Sequence, residues 1–308
     1  APQGRFNAGT VGFENEFTYL PDGTLVQGFD TNGVNGIANG FNRSEFRTIA
    51  IPTERLNANA FVNYAISDSI NYYLELSYAR TETNTEIEPT PLNSTDIFPG
   101  TFGIPTSYLG SDGNPTVNPF IPQEILAVAA TTGTDRISFT RRLSEFGNRG
   151  SFDTRQTFRA ATGLEGEFED LGLRWELGYV YGSTTQAQIS QGAIDAQSFR
   201  NALLAEQLPD GTIQCVDANA REQGCVPINI FGFNTISQGA LDYITSDATR
   251  NASVEQNIVH GFVSGDLFEL PGGPLSFAVG FEYREEESSI INDSLTRRGL
   301  SSGNATPS

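Results

Sequence analysis

The sequence predicts an all-β chain: one sector of a large antiparallel transmembrane β-barrel, with long extracellular loops that carry short helices. Three observations predict it. Apolar and polar residues alternate in three nine-residue stretches, a short turn precedes each stretch, and very long connections follow the first two. In Ile70–Tyr78 every second residue is apolar or aromatic, namely Ile70, Tyr72, Leu74, Leu76 and Tyr78. Leu173–Tyr181 repeats this with Leu173, Trp175, Leu177, Tyr179 and Tyr181, and Leu275–Tyr283 with Leu275, Phe277, Val279, Phe281 and Tyr283. The residues between them are mostly polar or small: Asn71, Glu75 and Ser77, then Arg174, Glu176 and Gly178, then Ser276, Gly280, Glu282 and Arg284. Side chains alternate across a strand, so each stretch has one greasy and one wet face. A tilted strand needs about 9–11 residues to cross a bilayer. A half-buried strand of a soluble sheet would alternate too, so the neighbouring segments must decide.

Taken in order, residues 1–54 offer either one hairpin, Phe13–Tyr19 and Thr24–Phe29 around Pro21-Asp22-Gly23, or a loop ahead of the first long strand. Arg55–Ile66 then leads through Ser67-Asp68-Ser69 into Ile70–Asn84, a hairpin over about 55–84. Ser151–Phe168 leads through Glu169-Asp170-Leu171-Gly172 into Leu173–Gln188, a hairpin over 151–188. Asn251–Phe268 leads through Glu269–Pro274 into Leu275–Ile290, a hairpin over 251–290. Asp, Gly, Ser and Pro at the joints are the residues tight turns require. The incoming strands alternate as well: Leu56, Ala58, Ala60, Val62 and Tyr64, then Phe158, Ala160, Leu164 and Phe168. For the third, Val259, Gly261, Val263, Gly265 and Leu267 form the expected apolar face.

The connections 85–150 and 189–250 are rich in Gly, Pro, Asn, Thr and Ser. Helices are expected at Pro122–Ala130 and Ser237–Ile244, and a strand at Arg136–Phe146. Structureless loops of this length are uncommon in a compact soluble domain, whereas short turns alternating with long loops are how outer-membrane barrels are built. Aromatics flank each short turn: Tyr64 and Tyr72, Phe168 and Trp175, Phe268 and Phe277. Aromatic rings favour the membrane interface, where an apolar body and a polar edge are both satisfied. Tyr78, Tyr181 and Tyr283 recur at the far ends, followed on the same face by Arg80, Ser183 and Glu285. The lipid-facing set is therefore Tyr72, Leu74, Leu76 and Tyr78, Trp175, Leu177, Tyr179 and Tyr181, and Phe277, Val279, Phe281 and Tyr283. Leu76→Arg or Leu177→Arg is expected to cost about 2–4 kcal/mol near the midplane, and Ser77→Arg or Gly178→Arg less.

Composition narrows the class. Hydrophobic content is 38%, mean hydropathy is −0.28, and no apolar run has the length of a membrane helix. With 37 acidic against 18 basic residues the net charge is −19, which argues against nucleic acid as a partner. Six strands are too few to close a membrane barrel, whose smallest members have about eight. The chain, which starts at Ala1 without a signal segment and ends in a polar tail, is therefore expected to be residues 1–308 of a longer barrel protein whose other parts lie outside it.

Few residues suggest chemistry. Cys215 and Cys225, ten apart in a polar loop, are expected to form a disulfide in an extracytoplasmic compartment; with no histidine or further cysteine near, a metal site is the weaker alternative. Gly299-Leu300-Ser301-Ser302-Gly303 matches the serine-hydrolase G-x-S-x-G pattern, but the only histidine, His260, lies upstream of it, so the match is read as chance. His260 is placed on a polar face with Ser264 and Asp266 as a hydrogen-bonded wall residue, and its solitude weakens a haem-uptake role. Glu75, Glu176 and Glu282 are read as lining a wet lumen. The basic group Arg141, Arg142, Arg149, Arg155 and Arg159 offers bidentate contacts to an anionic ligand at a pore mouth. It can equally pair with Glu145, Asp153, Glu165 and Glu167. No catalytic residue, enzymatic activity, metal or cofactor is expected.

Several segments resemble the barrel of TonB-dependent outer-membrane receptors. They are Pro52-Thr53-Glu54-Arg55 before an alternating strand; Arg141-Arg142-Leu143-Ser144-Glu145-Phe146-Gly147-Asn148-Arg149 with Phe158-Arg159 and Gly163-Leu164-Glu165-Gly166; Ile228-Asn229-Ile230-Phe231-Gly232 with Ala240-Leu241-Asp242-Tyr243; and Leu270-Pro271-Gly272-Gly273-Pro274 with Phe277-Ala278-Val279-Gly280-Phe281-Glu282-Tyr283-Arg284. The resemblance covers roughly residues 50–290 and rests more on the shared order than on any one motif. It implies a barrel of about 22 strands occluded by a plug, with the plug domain, the TonB box and the final strand absent from this chain. It further implies siting in the outer membrane of a Gram-negative bacterium and contact with outer-membrane lipid. Uptake of a scarce nutrient, such as an iron–siderophore, cobalamin or an oligosaccharide, would be energised by a TonB–ExbB–ExbD complex. The rivals are a passive porin, which lacks a plug, and a soluble all-β binding protein or hydrolase.

Overall fold

The computed structural model describes residues 1–9, 13–28, 41–46 and 48–302. Six long strands dominate it: β1 (Thr53–Ser67), β2 (Ile70–Ile87), β3 (Arg149–Phe168), β4 (Leu173–Asp195), β5 (Thr245–Leu270) and β6 (Gly273–Asn292). Each pairs antiparallel with the next, giving a meander in the order β6-β5-β4-β3-β2-β1. Among the described residues this sheet is open, and the outer edges of β1 and β6 pair with no other strand. No helix is long and apolar enough to cross a membrane.

Every strand overruns its expected limits, most of all β5, which starts at Thr245 instead of Asn251. Alternation marks only the part of a strand with unlike faces. Beyond it both faces are polar, as they already are from Thr81 and remain through Thr85-Glu86, and periodicity falls silent while backbone pairing continues. The short turns lie where the sequence puts them. Ser67 pairs with Ile70 across Asp68-Ser69, and Leu270 pairs with Gly273 across Pro271-Gly272. The middle turn is a short 3-10 segment, Glu169–Leu171, closed by Gly172 at φ 62°, a left-handed conformation that glycine adopts without steric cost.

Register settles the faces. One row across all six strands reads Tyr64, Tyr72, Leu164, Leu177, Gly261 and Phe281, and the next reads Val62, Leu74, Thr162, Tyr179, Val259 and Tyr283. One expected member drops out. A bulge between Asp266 and Phe268 removes Leu267 from the apolar file, and Phe268 takes its place opposite Leu275.

The connections carry the expected helices and also hold most of the hydrophobic core, which the sequence reading does not place. Leu92, Ile97, Ile104, Ile125, Ile137, Leu143, Phe199, Leu203, Ile228 and Ile230 are fully buried there, joined by Phe6 from the N-terminal segment, each contributing about 1.5–3 kcal/mol by leaving water. A second antiparallel sheet supports this layer, running Leu25–Gln27, Glu16–Tyr19, Arg5–Asn7, Arg136–Arg142 and Pro91–Asn93. The N-terminal hairpin therefore exists in shortened form, joined to the loop layer and not to the long sheet, while Phe29 lies outside the described residues. The strand expected at Arg136–Phe146 ends at Arg142. The expected helices are Gln123–Thr132 and Gln238–Ile244, the latter capped by Ser237, whose hydroxyl accepts from the Ala240 amide. A further helix, Ala196–Leu203, was not anticipated, although Asp195 caps it by accepting from the Gln197 and Ser198 amides.

The two long connections are fastened to each other. Phe139 stacks on Phe199 with centroids 6.3 Å apart. Asn118 donates to the Leu203 carbonyl at 2.6 Å, and Arg200 to that of Ile97 at 2.9 Å. Phe6, from the first segment, stacks on Phe231 at 4.5 Å.

Candidate functional site

The long sheet presents two unlike surfaces. On the greasy one, Leu177, Tyr179, Val259, Val279, Phe281 and Tyr283 are exposed, and Tyr72, Leu74, Leu76, Tyr78, Trp175, Tyr181 and Phe277 are half-buried. Among the described residues nothing covers this face, and the core lies in the loop layer. From Phe168 at the short turn to Phe158 is about 33 Å along β3, or about 25 Å of height at a tilt near 40°. That matches the apolar band of a membrane barrel. At its upper limit the row shifts to Ser183, Glu255 and Glu287. At its lower limit Phe168 stacks on Trp175 at 5.9 Å.

The opposite surface is polar and carries two features. In its lower half, Tyr73, Glu176 and His260 converge from β2, β4 and β5. The Tyr73 hydroxyl donates to Glu176 Oε1 at 2.9 Å, and His260 Nε2 lies 3.1 Å from the same oxygen. Gly163 and Gly178 make room for them: a Cβ on Gly163 would meet the Tyr73 hydroxyl at 2.6 Å, and one on Gly178 would meet His260 Cε1 at 2.4 Å. Aromatic rings lying over cross-strand glycines shield bare backbone. His260 is thus the hydrogen-bonded wall residue the sequence suggests, but with a partner set that sequence spacing could not show. Glu75 pairs with Arg159 at 3.0 Å and Glu282 with Arg284 at 2.9 Å, both on this same surface.

In its upper half, where the long connections depart, a recess of about 680 Å³ is lined by Arg55, Thr81, Thr83, Thr85, Ile87, Gly150, Ser151, Asp153, Arg155, Gln186 and Gln188. One register row, Arg55, Thr81, Arg155 and Gln186, crosses it. Arg155 donates to Gln186 Oε1 at 3.4 Å, Gln186 Nε2 to Asp153 at 2.5 Å, and Gln188 Nε2 to Ser151 at 3.1 Å. Arg55, Thr83 and Gln188 are separated by ten or more residues from one another, so only strand pairing brings them together. Of this lining the sequence reading offers only Arg155 as a ligand contact; for Arg55 the available signal is its alternation with Leu56.

The five arginines expected to act together do not meet. Arg141 is fully buried in the loop layer, donating to the carbonyls of Pro2 at 2.8 Å and Gly232 at 2.9 Å and pairing with Glu145. Burial pushes its guanidinium below the ordinary arginine value, against the attraction of Glu145. Arg142 donates to the Pro89 carbonyl at 2.6 Å and lies over the Phe41 ring at 4.4 Å. Arg149 donates to the Glu88 carbonyl at 3.0 Å. Arg43 holds the Glu88 carboxylate at 2.7 Å. Burial opposes ionisation of Glu88, but its backbone hydrogen bond, Arg43 and Arg142 outweigh this and hold its carboxyl below the usual range. Arg141, Arg142 and Arg149 are therefore cross-links of the loop layer. Arg155 and Arg159 alone lie on the polar surface.

Cys215 and Cys225 are disulfide-bonded, clipping the loop around the helix Ala218–Glu222. Ser301 and Ser302 extend the sheet against Asp195 and Ile194, preceded by a helix at Ser294–Arg297, so the strand-turn-helix context of a nucleophilic serine is missing among the described residues. No cluster of metal-ligating residues occurs among the described residues. No family model, curated protein or solved structure matches this chain.

Proposed function

We propose that the chain is a sector of an outer-membrane β-barrel of the TonB-dependent kind, serving the energised uptake of a scarce polar nutrient. The observation that carries this is the inverted distribution of burial: a six-stranded sheet leaves a continuous apolar face uncovered, while the chain's hydrophobic core sits in its long connections. Water would penalise such a face, and lipid would solvate it. The open edges of β1 and β6 then continue into further strands of the barrel. The polar surface lines the lumen, and the loop layer forms the mouth facing outward. Sequence resemblance over roughly residues 50–290 supplies the energy-coupling part, with TonB–ExbB–ExbD as the partner and no covalent chemistry on the ligand. Two measurements test this. The full-length protein, refolded in detergent, should migrate faster before boiling than after, as folded barrels do, and a monodisperse monomer without detergent would exclude the membrane assignment. Uptake of its nutrient by whole cells should stop in a strain lacking TonB; continued uptake would favour a passive porin.

A further inference from the structure

All 18 basic residues of this chain are arginine, and most are tied to a carboxylate or a carbonyl. Arg55 is among the few that are not: it has no hydrogen-bond or ion-pair partner among the described residues, and Arg155 has only the 3.4 Å contact to Gln186. Both face the recess beneath the loop layer, on one register row with Thr81 between them. Two strands' separation sets their backbones about 10 Å apart, within reach of one shared anion for two arginine side chains. Among the described residues Asp153 is the only carboxylate lining the recess, so that lining carries one positive charge in excess in a chain of net charge −19. Thr81, Thr83 and Thr85 project into the same space, spaced about 7 Å apart along β2, and their hydroxyls have no partner among the described residues. Ile87 is the only large apolar side chain in the lining.

We propose that this recess binds a carboxylated polyol, of the chemical class of a uronic acid within a short oligosaccharide. Arg55 and Arg155 bracket its carboxylate, and the threonine row with Gln188 bonds its hydroxyls. Forked guanidinium donors match the two oxygens of a carboxylate, and one carboxylate balances the excess charge. A bare inorganic anion would use the arginines and leave the threonine row idle. The volume suits a small oligosaccharide unit. This assignment rests on reading the polar surface as a lumen.

The test is calorimetric titration of the full-length protein in micelles with an aldobiouronic acid, its carboxyl-reduced counterpart, and inorganic phosphate. The acid should bind at least tenfold more tightly than the reduced form, and phosphate at equal concentration should not displace it. Arg155→Gln and Arg55→Gln should each weaken the acid at least tenfold without altering the heat-dependent mobility of the folded barrel. Equal affinity for the two disaccharides, binding of neither, displacement by phosphate, or unchanged affinity in both variants would each overturn the proposal. If the mobility shift is present and the selectivity absent, the recess assignment alone falls. If the protein is a soluble monomer without a mobility shift, the barrel reading falls instead.

Discussion

Leu76 and Ser77 are adjacent on β2 and point to opposite surfaces, so the same substitution at each isolates the solvent on either side. Leu76 shares its row with Ala60, Ala160 and Tyr181, and Ser77 shares its row with Asn59, Arg159 and Gly182. From the short turn at Ile70 to Leu76 is about 20 Å along the strand, hence about 15 Å up a band about 25 Å high, close to the midplane. On the proposed barrel Leu76→Arg should therefore cost about 2–3 kcal/mol, because a guanidinium near the middle of the hydrocarbon would have to distort lipid or reach for the interface. Ser77→Arg meets a wet surface and gains one like-charge neighbour, Arg159, already paired with Glu75 at 3.0 Å. Its cost should stay below about 1 kcal/mol. Reversible urea unfolding of the full-length protein in vesicles, followed by tryptophan fluorescence, reads both. Costs within about 0.5 kcal/mol of each other, a difference too small for lipid on one side only, would refute the assignment of faces. Gly178→Arg, which the sequence offers as a second lumen control, is unsuitable: its Cβ would lie 2.4 Å from His260.

Three further outcomes are expected. Gly178→Ala should destabilise the sheet by about 1–3 kcal/mol through overpacking, whereas Gly182→Ala, whose Cβ meets nothing within 4 Å, should be nearly neutral in the same unfolding assay. Replacing both cysteines by serine should release the clip between Cys215 and Cys225 and cost the loop layer about 2–3 kcal/mol on the chain-entropy account; limited proteolysis should then cut around residues 218–222 and leave the six long strands intact. Because the Glu88 carboxyl is held below its ordinary value of 4.5, its contribution to the loop layer is fully present above that pH and fades as pH falls through the lower folded value. Protease resistance of the loop layer should accordingly drop on acidification below about 4.5, and Glu88→Gln should be protease-sensitive at neutral pH and lose most of that pH dependence.

What the sequence disclosed depended on whether a residue's environment repeats along the chain. The apolar files of β2, β4 and β6 were legible because a two-residue period forces side chains to one face. Leu267 was misplaced because a bulge changes the period without changing the composition. The loop-layer core was invisible for a different reason: Ile104, Ile121, Ile125 and Ile137 belong to unlike elements at irregular spacing, set among Gly, Pro and Thr. The arginines misled because neighbours in sequence need not share a solvent. Arg142 faces the loop layer and Arg155 the polar surface, with the start of β3 between them. The recess gathers Arg55, Thr83 and Gln188 from three strands, and only their register brings them together.

The two halves of the molecule obey opposite rules of burial, and this bears on how the recess is held. The loop layer collects Phe6, Phe139 and Phe199 from three separate segments of chain, so its core joins residues distant in sequence. Such contacts repay the entropy of closing long loops only when the loop ends are already near each other. Pairing of β2 with β3 and of β4 with β5 supplies that nearness for both connections. In return the packed layer fixes the upper ends of those strands. Thr90 donates to the Gly192 carbonyl at 2.9 Å, tying the chain just beyond β2 to β4. Arg149 ties the first residue of β3 to Glu88 at the exit of β2. Both ties lie immediately above the recess lining of Ile87, Gly150 and Gln188. A binding surface built only on a two-layerless sheet would flex with the twist of the strands. Here a packed core clamps the end of the sheet that carries the arginines, while the other end has no such layer against it among the described residues.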